Sequence, residues 1–472
     1  MRRNPWANRP CARHCGHRAP GLLRNPAGCL LGTHAHGPMA HGPWAHGPWA
    51  AGPVDGACMG QWPMIYGPLL DASRARPSAV VLSRTMGQRT QKDWISKEVV
   101  HVPPVDVLIF GFPCKDLSFL ADKGRGGITL DDLKALIDLS QPFLCAGNES
   151  SLPNCRGALE YISLHLPFKV NIENLDKITF LIEGKKSLKD AIFEFFWARR
   201  YLAGFHSGCP RDIGTPSRRS RTHMDFTHFP QAFGMLGAEI TLTPLHELYQ
   251  RELTRCMDVF KKGIFKRNLN DYLVVKGSTL YEKLFNDAMT GHSNLQSDES
   301  DKQWPAYHES LYHNRLNRPR PDASELLQYA ETLAEEECNF FNKLSVRCQE
   351  KVYLKALTMA NDGNHCGMSC IDISQGKFET ECDEATTCLT ERGIPYLVGQ
   401  NATRPLFGIE AFYLQGASIH EFPGLLEYGD AFCKDLAGNA FSAQFYIHFV
   451  VATLHAIGSV RNYLAREDEA KR

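Results

Sequence analysis

The chain has 472 residues, equal Lys+Arg and Asp+Glu at 52 each, and 43% hydrophobic residues. That length accommodates two or three domains with a sizeable core, and zero net charge excludes a globally basic coat for nucleic acid, so any such surface must be local. Sixteen cysteines, scattered singly, do not form a small disulfide scaffold and fit reduced thiols in the nucleus or cytoplasm.

Residues 1–60 are low-complexity, with the repeat His36-Gly-Pro-Met-Ala, His41-Gly-Pro-Trp-Ala and His46-Gly-Pro-Trp-Ala, and are expected to be disordered. No apolar segment follows Arg2 and Arg3 to make a secretory signal. Cys11 and Cys15 with His14 and His17 lack a second matching pair, so no metal is assigned. From 64 onward the text becomes globular, with short strands expected at 79–82 and 99–102. The β-branched run 105–110 then ends in Gly111-Phe112-Pro113-Cys114. A buried strand here delivers one thiol to a turn stiffened by Pro113, at the carboxyl end where open α/β sheets place their chemistry. Inert packing is the alternative for a cysteine in that position.

A glycine-rich loop occupies 122–127, and helical spacing covers 131–140 behind a capping region at Thr129 and Asp131. A second helix at 158–166, stopped by Pro167, leads into a strand over 168–175 that ends in Glu173 and Asn174. Taken alone, such a pair is a helix cap or a solvated turn acid as readily as a functional group. Apolar spacing predicts a helix over 187–202 that packs on the sheet. The turn at 212–221 carries Arg218, Arg219 and Arg221, either solvated charge or a grip for phosphate or a base.

The stretch 225–395 is more irregular and charged, with basic pairs Lys261-Lys262 and Lys266-Arg267, an acidic run at 335–337 and a polar linker at 293–303; it reads as a separate recognition domain. His365, Cys366 and Cys370 again lack the partners of a zinc site. A short helix at 410–416 stops at glycine, and 436–441 is a turn opening an apolar helix to Ile457. The longest apolar run, 441–457, is interrupted by Gln444, His448 and His455 and falls short of the roughly 18 to 20 residues of a membrane span, so no membrane is expected.

In order, these pieces resemble the DNA cytosine-5 methyltransferases. The family's Gly-Phe-Pro-Cys-Gln-x-x-Ser is similar to 111–118, with Lys115 for Gln; its Glu-Asn-Val to Glu173-Asn174-Leu175; its Gly-x-Pro-Gln-x-Arg-x-Arg to 214–221, with Ser217 for Gln. Its Arg-x-Leu-Thr-x-x-Glu-x-x-x-Leu-Gln-Gly resembles Arg404, Leu406 and Glu410 followed by Leu414-Gln415-Gly416, and its closing Gly-Asn-Ala/Ser-Val resembles Gly438-Asn439-Ala440-Phe441. The resemblance covers about 95–457. It implies an α/β, Rossmann-like S-adenosylmethionine-dependent methyltransferase sheet with an inserted, irregular target-recognition domain. The expected division is low complexity to 60, catalytic domain 61–224, target recognition 225–400, return to the catalytic domain 401–460, and a tail 461–472.

The resemblance also implies the site. Cys114 would add to C6 of cytosine, making C5 nucleophilic toward the sulfonium methyl. A protonated Glu173 would contact N3 if burial raises its pKa, and Arg219 and Arg221 would hold O2 or phosphate and keep Cys114 ionised. Pro113 and Asn439 would lie on the cofactor side; Ser118, Asn174 and Gly438 would touch substrate. The base would be flipped out of its helix, with the Gly124–Gly127 loop a candidate for closing over it. DNA is the expected partner and RNA the alternative, since one branch of the family methylates tRNA. The family's cofactor motif, Phe-x-Gly-x-Gly, is not found around Ala50 to Met64. A third expectation is therefore a degenerate relative that binds nucleic acid without turnover.

Overall fold

The computed structural model describes residues 90–92, 99–101, 104–112, 128–141, 143, 152–234, 241–291, 304–361, 367–374, 381–390, 393–399, 402–418 and 421–472. The low-complexity segment, Pro113, Cys114, Ser118, the 122–127 loop, the 293–303 linker and the pair His365 and Cys366 lie outside the described residues.

The described residues open with a short antiparallel pair, β1 (Thr90–Lys92) and β2 (Val99–His101). The central sheet begins at β3 (Val107–Gly111) and continues, after α1 (Leu130–Ile137) and α2 (Leu152–His165), with β4 (Lys169–Asn174). A small hairpin, β5 (Leu181–Ile182) and β6 (Lys186–Ser187), leads into α3 (Leu188–Trp197), β7 (Tyr201–Gly208) and β8 (Arg221–His228). The sheet order is β3-β4-β8-β7; β3 and β4 run parallel, the other pairs antiparallel. The fold is thus mixed α/β.

The α3 helix starts where Ser187 and Asp190 cap each other reciprocally, Asp190 N donating to Ser187 Oγ and Ser187 N to Asp190 Oδ2, both at 3.1 Å. It ends sooner than its apolar spacing predicts, because Arg200 takes the left-handed conformation (φ 59°) and turns the chain into β7. Period-two alternation then sorts the sheet's side chains. Val170, Ile172, Met224 and Phe226 face one core with Leu188, Ile192 and Phe196, where the Phe196 and Phe226 rings stack at 3.7 Å. The other face carries Asn171, His223 and Asp225 toward two helices, α5 (Leu242–Gly263) and α13 (Ala443–Lys471), joined by Tyr249, Leu253, Met257, Phe445 and Phe449.

On that face Asp225, 0% exposed, receives Lys169 Nζ at 2.7 Å, Thr227 Oγ1 at 3.3 Å, Asn171 Nδ2 and the Tyr249 hydroxyl. Asn171 Oδ1 in turn accepts from the Tyr446 hydroxyl of α13 at 2.7 Å. One carboxylate thereby ties two strands to both covering helices.

A second lobe follows α4 (Phe229–Phe233) and α5. It holds α6 (Thr279–Gly291), α7 (Trp304–Leu316), α8 (Ala323–Glu331), α9 (Glu335–Lys343) and α10 (Val346–Asn361). A four-stranded sheet of order β10-β9-β11-β12 comprises β9 (Met368–Asp372), β10 (Glu381–Asp383), β11 (Pro395–Gly399) and β12 (Arg404–Pro405). The helices α11 (Gly408–Leu414) and α12 (Gly429–Asn439) complete it. Arg404 and Glu410, 2% and 0% exposed, form a two-pronged pair at 2.8 Å; Glu410 also accepts from Phe407 N at 2.9 Å and Val274 N at 2.8 Å.

Three details differ from the sequence reading. The boundary at 225 falls inside β8, and α5 packs on α13 and β7, so the first lobe extends to Gly263. Residues 436–439 close α12, and α13 runs to Lys471 through the supposed tail. One 18-residue window within Gly429–Lys471 has the length and apolarity of a membrane span, a criterion that the core helix of a globular domain also meets, and 39% of it is buried against protein.

Asp225→Ala leaves Lys169 buried without its carboxylate and is expected to cost about 3–5 kcal/mol, read as a lowered urea midpoint. An unchanged midpoint contradicts the role given to this network.

Candidate active site

The site is built at the carboxyl ends of β3 and β4. In their parallel register Gly111 pairs with Glu173, so the carboxylate stands beside the last residues before Pro113 and Cys114. The approach is close: a Cβ on Gly111 would lie 3.2 Å from the Glu173 carbonyl oxygen and 3.3 Å from Oε2, so these atoms would have to give by a few tenths of an ångström to admit a side chain. One residue on, Asn174 donates its side-chain amide to the Phe112 carbonyl at 3.1 Å, and its Oδ1 accepts from Leu175 N at 2.8 Å. Asn174, expected to touch substrate, clamps the backbone that leads to Cys114.

Arg221, first residue of β8, places Nε 3.0 Å from Glu173 Oε1, both side chains being 12% exposed. Its Nη1 also donates to the Ser220 carbonyl at 2.8 Å. Oε1 is therefore engaged, while Oε2 is turned to the end of β3.

Arg219 does something else. It is 6% exposed, and Nη1 donates to the carbonyls of Leu389 at 2.6 Å and Gly438 at 2.9 Å. The surrounding turn is zipped to the same segment of the second lobe, with Arg218 N donating to Thr386 O at 2.9 Å and Thr386 N to Pro216 O at 2.8 Å. Gly438, expected at the substrate, offers this arginine its carbonyl. Asn439 is exposed and gives its amide to Asp435 O at 2.9 Å within its own helix.

The sequence reading missed the polar residues around this pair. Thr222 donates to Asp176 Oδ1 at 3.0 Å and meets Ser207 Oγ at 2.7 Å. Burial raises the Asp176 carboxyl, opposed by Thr222 and by the Arg221 charge. Asp176 lies just past the Glu-Asn motif, which was the available signal. Beneath them His223 is stacked against Phe445 at 4.7 Å, and desolvation, with His206 and both arginines adding, pushes it down to about 3. Desolvation and then Lys261 push His206 down to about 4.

Among the described residues, no group of three or more His, Cys, Asp or Glu side chains could hold a metal. Chemically, the described part offers a carboxylate with one free-facing oxygen, a guanidinium orienting it, and a backbone clamp on the strand end.

No family model matches the chain, and no curated protein matches it. Among solved structures it is similar to an Entamoeba histolytica methyltransferase (12% identity, covering 78% of this chain and 85% of that one, TM-score 0.33). It is also similar to a putative DNA modification methyltransferase of an E. coli prophage (12%, 75% and 80%, TM-score 0.35) and to the S. pombe Dnmt2 methyltransferase (12%, 78% and 82%, TM-score 0.32).

Both histidines are held neutral in the fold, well below their ordinary 6.5, so the unfolded chain binds protons first. Their contribution is complete above pH 6.5 and is lost as pH falls toward about 4 and then about 3. The urea midpoint is expected to fall between pH 7.5 and pH 5, and His223→Phe, which keeps the stacking, to flatten part of that fall. An equally steep profile in the variant contradicts the assignment.

Proposed function

We propose that the chain methylates C5 of cytosine in nucleic acid, DNA first, with S-adenosylmethionine as methyl source. One observation supports the reading: Glu173 and Arg221, far apart in the motif order, pair at the carboxyl end of β3, the strand whose sequence runs on into Pro113 and Cys114, through the Gly111–Glu173 register and the Glu173–Arg221 pair. Cys114 adds as thiolate to C6, forming a C–S bond and pushing electrons toward N3 and O2 of the ring. Glu173, held through Oε1 by Arg221, presents Oε2 to N3. A hydrogen bond between Oε2 and N3, with the proton shared between them, stabilises the charge that addition creates. Asn174 fixes the peptide leading to the thiol, and Arg219 holds the turn that delivers Arg221. A base inside a duplex cannot reach this strand end, so the target is flipped out or already unpaired.

The described residues do not build a nucleoside cradle on the cofactor side. Asn439 is spent on its own helix, and Val107 and Ile109 of β3 are 49% and 39% exposed. The chemistry they support ends at the activated base. The same observation favours a second reading, a relative that captures nucleic acid without turnover.

Labelled methyl transfer from S-adenosylmethionine to duplex DNA and to tRNA tests the first reading and ranks its two substrates. Cys114→Ser is expected to abolish transfer and Glu173→Gln to lower it about 10²- to 10⁴-fold. Transfer that survives Cys114→Ser sinks the mechanism. Micromolar S-adenosylmethionine binding by calorimetry removes the second reading.

A further inference from the structure

Past its last turn, α5 gives way to Ile264 at φ −92° and ψ 134°, an extended conformation in which successive side chains point to opposite sides. Ile264 turns inward onto the cluster around α5 and α13. It comes so near the arginine turn that a Cβ on Gly214 would stand 2.5 Å from Ile264 Cγ2 and from the Phe265 carbonyl oxygen. Gly214, at φ 89°, tolerates this approach, and Arg267 N donates to its carbonyl at 3.0 Å. The segment is therefore clamped to the turn that carries Arg219 and Arg221.

Phe265 points the other way. At 83% it is the most exposed large apolar side chain among the described residues. Beside it Arg211, Lys266, Arg267 and Asn268 line a pocket of about 140 Å³, with Glu384 as its carboxylate. Lys261 and Lys262 lie in the last turn of α5, where they offset the negative end of the helix dipole. Lys266 and Arg267 lie beyond it and are not explained that way. On a chain with no net charge, a local concentration of cations around an outward aromatic ring matches what single-stranded nucleic acid binds: cations follow the phosphates and the ring stacks on a base.

We propose that residues 261–268 form a polynucleotide-docking element, Phe265 stacking on an unpaired base beside the target while Arg211, Lys266 and Arg267 hold its phosphate. This rests on the nucleic-acid reading above and deepens it. The test is fluorescence anisotropy of the full chain with fluorescein-labelled single-stranded DNA, RNA of the same sequence, and the DNA duplex, over a salt series. Lys266→Gln with Arg267→Gln is expected to weaken binding to every probe and to reduce the salt slope by about 2. Phe265→Ala is expected to weaken the single-stranded probes by about tenfold with the slope unchanged, and Phe265→Trp to restore them. The DNA and RNA arms identify the source of the strand. Thermal melts check that the variants fold as the parent does, Phe265 and Lys266 being exposed and Arg267 half-buried. Parent-like affinity in both variants overturns the docking element alone when the parent chain binds and methylates the probes. Absence of binding by the parent to all three probes overturns the element together with the reading beneath it.

Discussion

A carboxylate shut away from water must be answered by the protein, and Asp225 sets that requirement for the whole first lobe. Its partners come from β4, β8 and α5, and through Asn171 the network reaches α13. Slipping β8 by one residue would swing the charge into the aromatic layer of Phe193, Phe196 and Phe226. The strand therefore has one register, and the site inherits it. Arg221 opens the same strand, so the position of the guanidinium against Glu173 follows from where Asp225 can be satisfied.

The two arginines of the turn divide two duties. Arg221 meets a side-chain carboxylate, whereas Arg219 gathers two carbonyls from outside the sheet, both in the second lobe. Their planar, multi-donor heads suit both tasks. A lysine could not hold Leu389 and Gly438 together while keeping the fixed geometry of a guanidinium.

Much of this was legible in the sequence because local chemistry carried it. The Ser187 and Asp190 cap, the alternation in β4 and the glycine before Phe112 each announce local structure, and the ordered motifs bring Glu173 and Arg221 into view. What could not be read depends on distant partners. Nothing near Arg219 announces carbonyls far along the chain, and nothing near Thr222 announces Asp176 or Ser207. The boundary at 225 failed for a related reason: charge and irregularity on the outer face of α5 hid an inner stripe at Leu245, Tyr249, Leu253 and Met257 that belongs to the first core.

The Arg219 contacts also bear on the order in which the molecule can assemble. Its two carbonyl partners lie 170 and 219 residues further along the chain. Contacts this distant in sequence are costly in chain entropy and close late. During synthesis the β4 strand and its carboxylate leave the ribosome long before Gly438 does, so the first lobe must wait, with its arginine turn unanchored, for almost the whole of the chain. The junction with the second lobe, and α13 behind it, thus close late on the first lobe, and a nascent or prematurely ended chain would carry Glu173 and Arg221 without the junction that sets them.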